Sequence, residues 1–151
     1  MTVFPDGTKE ALHGHNYSVE ASIETADVSL NEMVSFSYFK GILKGICDHW
    51  DEKVLVAENC PFLEMKNLVS AEVEFVLCRK RYVLPREEVV FLPVDNITVE
   101  NLSEEFCNRF VKKIDSAVLQ KITEVSIKIE ESPGQGATFF WENKKTGRRS
   151  H

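Results

Sequence analysis

Two histidines separated by one glycine, His13-Gly14-His15, are the residues of this chain that most directly suggest chemistry. In an extended chain, side chains at positions i and i+2 point to the same side, so both imidazoles can reach one metal ion. Imidazole nitrogen is a preferred zinc ligand, and a catalytic zinc needs three protein ligands and one open position. The pair therefore predicts two zinc ligands, while neither His49 nor His151 is an obvious third. The alternative is a pair of histidines that hydrogen-bond to carbonyl groups or water.

The segment that carries the two histidines has the pattern of a strand. Apolar and polar residues alternate over residues 13–26, which is typical of a half-buried strand. The apolar positions are Tyr17, Val19, Ala21 and Ile23. His13 and His15 share their parity, so we expect both imidazoles on the inward face.

Apolar spacing predicts two amphipathic helices. The first spans residues 36–50 behind an N-cap at Ser35, and the second runs from an N-cap at Thr98 to about residue 119. Glu100 lies in the first turn of the second helix, where a negative charge suits the helix dipole. The apolar stripe of the first helix consists of Phe36, Phe39, Leu43, Ile46 and Trp50.

The remaining segments predict strands. Alternating residues predict a hairpin that turns near Cys78-Arg79, and later strands at 125–129 and 137–141 flank a turn at 133–136. Helices on one face of a mainly antiparallel sheet give an α+β fold. We expect one domain over residues 1–141, followed by a loose basic tail at 142–151.

Composition narrows the classes of function. A chain of 151 residues with 43% hydrophobic residues can build a core. The formal net charge of −6 disfavours general binding to nucleic acid or to anionic membranes, which needs basic surface. The four cysteines have wide, irregular spacing, which indicates reduced thiols and neither a zinc ribbon nor a disulfide framework. With no apolar run of membrane-spanning length and no signal-peptide pattern, we expect a cytoplasmic protein.

Several motifs in order resemble one family. Leu12-His13-Gly14-His15-Asn16-Tyr17 resembles the signature of the 6-pyruvoyltetrahydropterin synthase and 6-carboxytetrahydropterin synthase family. Residues 33–40 resemble its entry into the first helix, and residues 50–55 lie where it has Leu-Asp-His-x-x-Leu. Residues 96–102 match its Thr-x-Glu-Asn-Leu helix start, and residues 129–132 its late strand ending in Glu-Thr.

The resemblance spans about residues 10–140, with a hairpin insertion at about 62–93, and it implies a tunnelling fold. In that fold an antiparallel sheet is backed by two helices, and subunits join their sheets into a trimeric or hexameric barrel with active sites at the interfaces. The implied activity is that of a carbon–oxygen lyase on 7,8-dihydroneopterin triphosphate, with zinc as a Lewis acid. Glu131 is the implied anchor of the pterin ring, with an exposed strand-end charge as the alternative, and Thr98 and Glu100 are implied substrate contacts.

The chain departs from the family pattern at its proton-transfer residues. The family's catalytic cysteine before His-Gly-His is absent, and Glu10 resembles the variant branch, found in apicomplexan homologues, in which a glutamate replaces it. We predict Glu10 as a general base, with a solvated loop charge as the alternative. The family's Asp-His pair is here Asp51-Glu52, predicted as supporting carboxylates. These replacements leave side-chain cleavage to a hydroxymethyl- or carboxy-pterin open beside the usual elimination and tautomerisation.

Two functions follow from these observations. The first is a zinc-dependent pterin lyase, and the second is a non-catalytic or truncated family member that binds a pterin or only assembles the barrel. The family's third zinc histidine lies on a strand before His-Gly-His, and the resemblance implies that this first strand is missing upstream of Met1. We therefore hypothesise that the true start lies earlier, which translation of the upstream DNA tests; a stop codon there would refute it.

Overall fold

The computed structural model describes residues 1–27, 29, 33–67 and 71–144. Within these ranges the chain forms strands, helices and one 3-10 turn at Arg86–Glu88. In chain order the elements are β1 (Ser18–Thr25), α1 (Phe36–Trp50), β2 (Val54–Ala57), β3 (Leu63–Asn67), β4 (Glu72–Leu77), β5 (Lys80–Pro85), β6 (Val89–Leu92), α2 (Val99–Lys113), α3 (Ser116–Leu119), β7 (Ile122–Ser132) and β8 (Gln135–Glu142).

The main sheet is antiparallel, with strand order β1-β7-β8. Strands β1 and β7 begin to pair where Ser18 lies opposite Glu130, and the pairing continues along the length of β1. Helix α2 packs against β7 and β8, and α1 packs against α2. The predicted α+β class is confirmed.

The core lies between the main sheet and α2. Residues Val125, Ile127 and Ile129 of β7 alternate towards it and are buried, as strand periodicity requires. From α1, Phe39 stacks on Phe110 with ring centroids 6.4 Å apart, and Trp50 meets Phe106 edge to face at 5.4 Å. The predicted apolar stripe of α1 is wrong at Phe36, which is 82% exposed because it lies at the first helical position.

Two smaller sheets separate α1 from α2 in the chain. The predicted hairpin is formed by β4 and β5, and β3 adds a third strand that the sequence did not indicate. Its turn places Cys78 and Arg79 at φ angles of 50° and 64°. Two consecutive left-handed residues are typical of a tight hairpin turn, although neither is glycine or asparagine. Strands β2 and β6 pair in parallel, unlike the rest of the sheet structure.

Several predicted boundaries were wrong: β7 spans Ile122–Ser132 where a strand at 125–129 was predicted, and β8 begins at Gln135, inside the predicted turn. The strand expected from residue 13 begins at Ser18, because its pairing with β7 starts opposite Glu130, next to the register shift between Glu130 and Ser132. The second helix ends at Lys113, and Asp115 then caps the short helix α3 by accepting a hydrogen bond from the N–H of Ala117. The last strand extends to Glu142, beyond the predicted residue 141.

Part of the predicted tail belongs to the fold. Glu142 ends β8, and the side-chain amide of Asn143 donates hydrogen bonds to the carbonyls of Leu119 and Ile122. The rest of that prediction, residues 145–151, lies outside the described residues. Among the described helices, each is too short or too polar to span a membrane.

Candidate metal and substrate site

The two histidines lie in an extended segment that leads into β1. Their ring centroids are 4.3 Å apart, and that of His15 lies 5.7 Å from that of Tyr17. The three rings therefore share one side of the chain, as the alternating pattern predicted. Nδ1 of His13 lies 2.7 Å from the carbonyl oxygen of Ala11. Both residues are exposed, and both line a cleft together with Tyr17.

Glu131 lies against the second histidine. Its Oε1 is 2.9 Å from Nδ1 of His15, and the two side chains are 37% and 24% exposed. The neighbouring Glu130 instead pairs with Lys128, whose Nζ lies 2.9 Å from Oε1. Of the two adjacent glutamates, only Glu131 thus contacts the histidine pair.

Glu10 reaches the same region from the N-terminal segment. Its N–H donates to the carbonyl of Thr2 at 3.0 Å, and its Oε2 accepts a hydrogen bond from the N–H of Thr2 at 3.2 Å. Hydrogen bonds from Thr2 hold the pKa of the Glu10 carboxyl below its usual value, and the nearby His13 acts in the same direction. Glu10 is therefore an ionised carboxylate at neutral pH.

Glu10, His13 and His15 fit a zinc site by their donor chemistry. One ligand atom from each lies within 4.8 Å of the others. Two imidazoles and one carboxylate form a known set of three protein ligands for catalytic zinc. Glu10 was predicted only as a general base, because the family pattern has a histidine as its third ligand. The sequence signal for Glu10 as a ligand was its position only three residues before His13, which keeps its carboxylate close to the two imidazoles.

A cleft of about 620 Å³ joins the histidines to the end of α1. His13 and His15 form part of its wall, and Asp51 and Glu52 form another part. Asp51 caps α1 by donating its N–H to the carbonyl of Cys47 at 2.8 Å, and Glu52 follows at a left-handed φ of 54°. The structure therefore brings both carboxylates predicted from the Asp51-Glu52 pair into the same cavity as the histidines.

Tyr17 belongs to the same cleft and was not predicted as a site residue. Burial, with the charges of Glu131 and Glu10 as smaller causes, raises the pKa of its phenol to about 12. The phenol is thus neutral at physiological pH and offers both a donor and an acceptor. The sequence signal was its shared parity with His13 and His15.

Thr98 and Glu100 lie outside this cleft within one chain. Thr98 caps α2, as predicted, by accepting a hydrogen bond from the N–H of Asn101 at 3.4 Å. Glu100 is exposed in the first turn of that helix. The adjacent Ile97 does line the cleft, and its carbonyl accepts a hydrogen bond from the hydroxyl of Thr2. The start of α2 is therefore next to the site, whereas these two predicted substrate contacts do not face it.

Comparisons with known proteins agree on one family. A family model described as 6-pyruvoyl tetrahydropterin synthase matches residues 2–142. A Methanocaldococcus jannaschii protein named "Putative 6-carboxy-5,6,7,8-tetrahydropterin synthase" is 29% identical over 91% of this chain and 84% of its own length. The 6-pyruvoyl tetrahydropterin synthase of Plasmodium falciparum has the same fold, with a TM-score of 0.84, 23% identity, and coverage of 94% of this chain and 88% of its own.

A Plasmodium vivax 6-pyruvoyltetrahydropterin synthase variant also shares the fold, with a TM-score of 0.84 and 20% identity over 94% of this chain and 88% of its own. Its description states that the replaced residue, a glutamate changed to alanine, is a catalytic residue. At this identity the similarity establishes the fold alone.

Proposed function

Because this chain belongs to the 6-pyruvoyl tetrahydropterin synthase family, we propose that it is a zinc-dependent pterin lyase acting on 7,8-dihydroneopterin triphosphate. The observation that carries the proposal is the cluster of Glu10, His13 and His15 beside a cleft that also holds Asp51 and Glu52. A module that only bound a pterin would have no chemical need for metal ligands beside that cavity.

His13 and His15 would hold the zinc ion, with the carboxylate of Glu10 close enough to complete the set. Bound zinc supplies Lewis-acid polarisation of substrate oxygen atoms. Glu10 is ionised, so it can accept a proton from a substrate carbon or hydroxyl next to the site. The Plasmodium vivax variant supports this role, because its description names a glutamate as catalytic in a protein of the same fold.

The remaining site residues have proposed roles in binding the pterin. Glu131 offers a carboxylate to the ring N–H donors. Asp51 and Glu52, which line the cleft together with the histidines, support proton transfer. Thr98 and Glu100 are proposed substrate contacts. Since neither faces the cleft of its own chain, assembly into a trimer or hexamer with sites at subunit interfaces is part of the proposal.

The replaced proton-transfer residues and the name of the archaeal relative point to different pterin products. With Glu10 in place of the family's cysteine and Glu52 in place of its histidine, cleavage of the side chain competes with formation of the 6-pyruvoyl product. The archaeal relative carries the name of a 6-carboxytetrahydropterin synthase. The same two replacements favour the alternative function, a non-catalytic member that binds a pterin or only assembles the barrel.

The test combines metal content with turnover. We expect about one zinc per purified chain by elemental analysis, and a new pterin when 7,8-dihydroneopterin triphosphate is supplied and products are separated by mass. His13→Ala should lose both the zinc and the product. His49→Ala is the matched control, because His49 lies in the last turn of α1 and outside the cleft. Zinc retained by His13→Ala would show that the metal site is wrong, whereas stoichiometric zinc without any product would leave only the binding function.

A further inference from the structure

The contact between Glu131 and His15 indicates a role for Glu131 besides anchoring a substrate. Oε1 of Glu131 lies 2.9 Å from Nδ1 of His15, whereas the imidazole's other nitrogen, Nε2, is left for a ligand. His13 has the same arrangement, because its Nδ1 lies 2.7 Å from the carbonyl of Ala11. Both rings are therefore held at Nδ1, by a carboxylate in one case and by the backbone in the other.

We propose that Glu131 is a positioning residue for metal ligation, which accepts a hydrogen bond from Nδ1–H of His15 and so directs Nε2 of that ring at the metal. The inference rests on the proposed function, since it concerns the zinc site. It assigns Glu131 a role that is separate from pterin binding. The two roles are compatible, because Oε2 of the same carboxylate remains for the ring N–H donors.

A bulge near the end of β7 directs the side chain of Glu131 towards His15. The register of β7 and β8 shifts between Glu130 and Ser132, so Glu131 is the extra residue of a β-bulge. Bulges redirect a side chain without ending the strand pair. Gly136 faces Glu130 across the bulge, and a Cβ there would lie 2.6 Å from the carbonyl oxygen of Ile129. Only glycine allows the two strands to approach so closely while Glu131 turns towards His15.

A carboxylate behind a metal-bound imidazole fixes the tautomer and the ring orientation and raises the basicity of the ligating nitrogen. Loss of such a partner costs about 10- to 100-fold in metal affinity. An ion pair between two partly exposed side chains would by itself contribute little to stability. The consequence of the contact is therefore expected in metal binding rather than in folding.

The experiment measures zinc affinity of the full chain by competition with a chromophoric chelator. We expect Glu131→Ala to bind zinc about 10- to 100-fold more weakly than wild type, and Glu131→Gln, which keeps an acceptor oxygen, to lie between them. Glu130→Gln is the matched control, because that neighbouring carboxylate pairs with Lys128 and should leave zinc affinity unchanged. Unfolding midpoints measured on the same samples check that each variant is folded.

A second readout follows the imidazole itself. In metal-free protein, nitrogen-15 NMR of His15 should show the proton on Nδ1 in wild type and a shift towards Nε2–H in Glu131→Ala. Equal zinc affinity of wild type and Glu131→Ala, with loss of pterin binding alone, would overturn this inference and leave the proposed function standing. A wild-type chain that binds no zinc would instead overturn the proposed function itself, and this inference with it.

Discussion

Glu10 combines two chemical demands in one side chain. Its ligand-capable oxygen lies within 4.8 Å of ligand atoms of His13 and His15, which suits coordination. Its carboxylate is also kept ionised by Thr2, which suits a proton acceptor. A zinc ligand donates its electron pair to the metal continuously, whereas a base must keep one oxygen available for the substrate proton. Removing the charge of Glu10 should therefore cost zinc binding if Glu10 is a ligand, and turnover if it is a base.

We expect Glu10→Gln to retain zinc and to lose turnover by about 100-fold or more, because an amide cannot accept the proton that a carboxylate base removes. Zinc content and kcat are measured on the same preparation. Glu20→Gln, on the exposed face of β1, is the control for removing one negative charge nearby. If Glu10→Gln instead loses its zinc, Glu10 is the third ligand and the base must be sought among Asp51 and Glu52.

Thr98 has two proposed roles, as a helix cap and as a substrate contact, and one pair of substitutions separates them. As the N-cap of α2 it accepts a hydrogen bond from the N–H of Asn101. Thr98→Ala should lower the free energy of unfolding by about 1 kcal/mol, since a typical cap contributes that much. Thr98→Asn restores a capping side chain and should restore stability. Chemical denaturation measures the free energy of unfolding of each variant. A raised KM reports the loss of a substrate contact.

A KM that stays raised in Thr98→Asn would support a direct contact between the Thr98 hydroxyl and substrate. If KM recovers together with stability, Thr98 acts only through the helix, and the proposed substrate contact is wrong. The comparison works because asparagine is at least as good a cap as threonine but differs from it in shape and in hydrogen-bonding groups.

How far the sequence predicts an element depends on how local its determinants are. Helix α1 was predicted with its observed bounds because the Ser35 cap and the apolar stripe are properties of neighbouring residues. The hairpin turn at Cys78-Arg79 was also found from local alternation. The start of β1 was missed because it depends on where its pairing with β7 begins, and the contact between His15 and Glu131 depends on a bulge in β7. Such features are set by register between distant segments, which no local pattern reports.

The main sheet has two edges. Among the described residues, β1 and β8 each pair only with β7. Unpaired strand edges favour association with another chain. Phe140 of β8 is 58% exposed and lines a second cleft of about 710 Å³, between β8 and the helical residues Asn108 and Ser116. These features fit the proposed assembly of subunits through their sheets, in which the exposed ring of Phe140 on an edge strand would be covered.

We expect the chain to sediment as a trimer or hexamer of its 17.2 kDa subunit, and Phe140→Glu to shift the mass towards the monomer. A buried interface disfavours an unpaired charge, whereas an exposed glutamate costs the free subunit little. Val83→Glu is the control, because Val83 is also exposed, at 40%, but lies on β5 outside the main sheet. Since the proposed active sites lie between subunits, Phe140→Glu should also lose turnover while it retains zinc at His13 and His15. A monomeric wild type with full turnover would contradict both the assembly and the shared site, because the cleft of a single chain would then bind the substrate without Thr98 and Glu100.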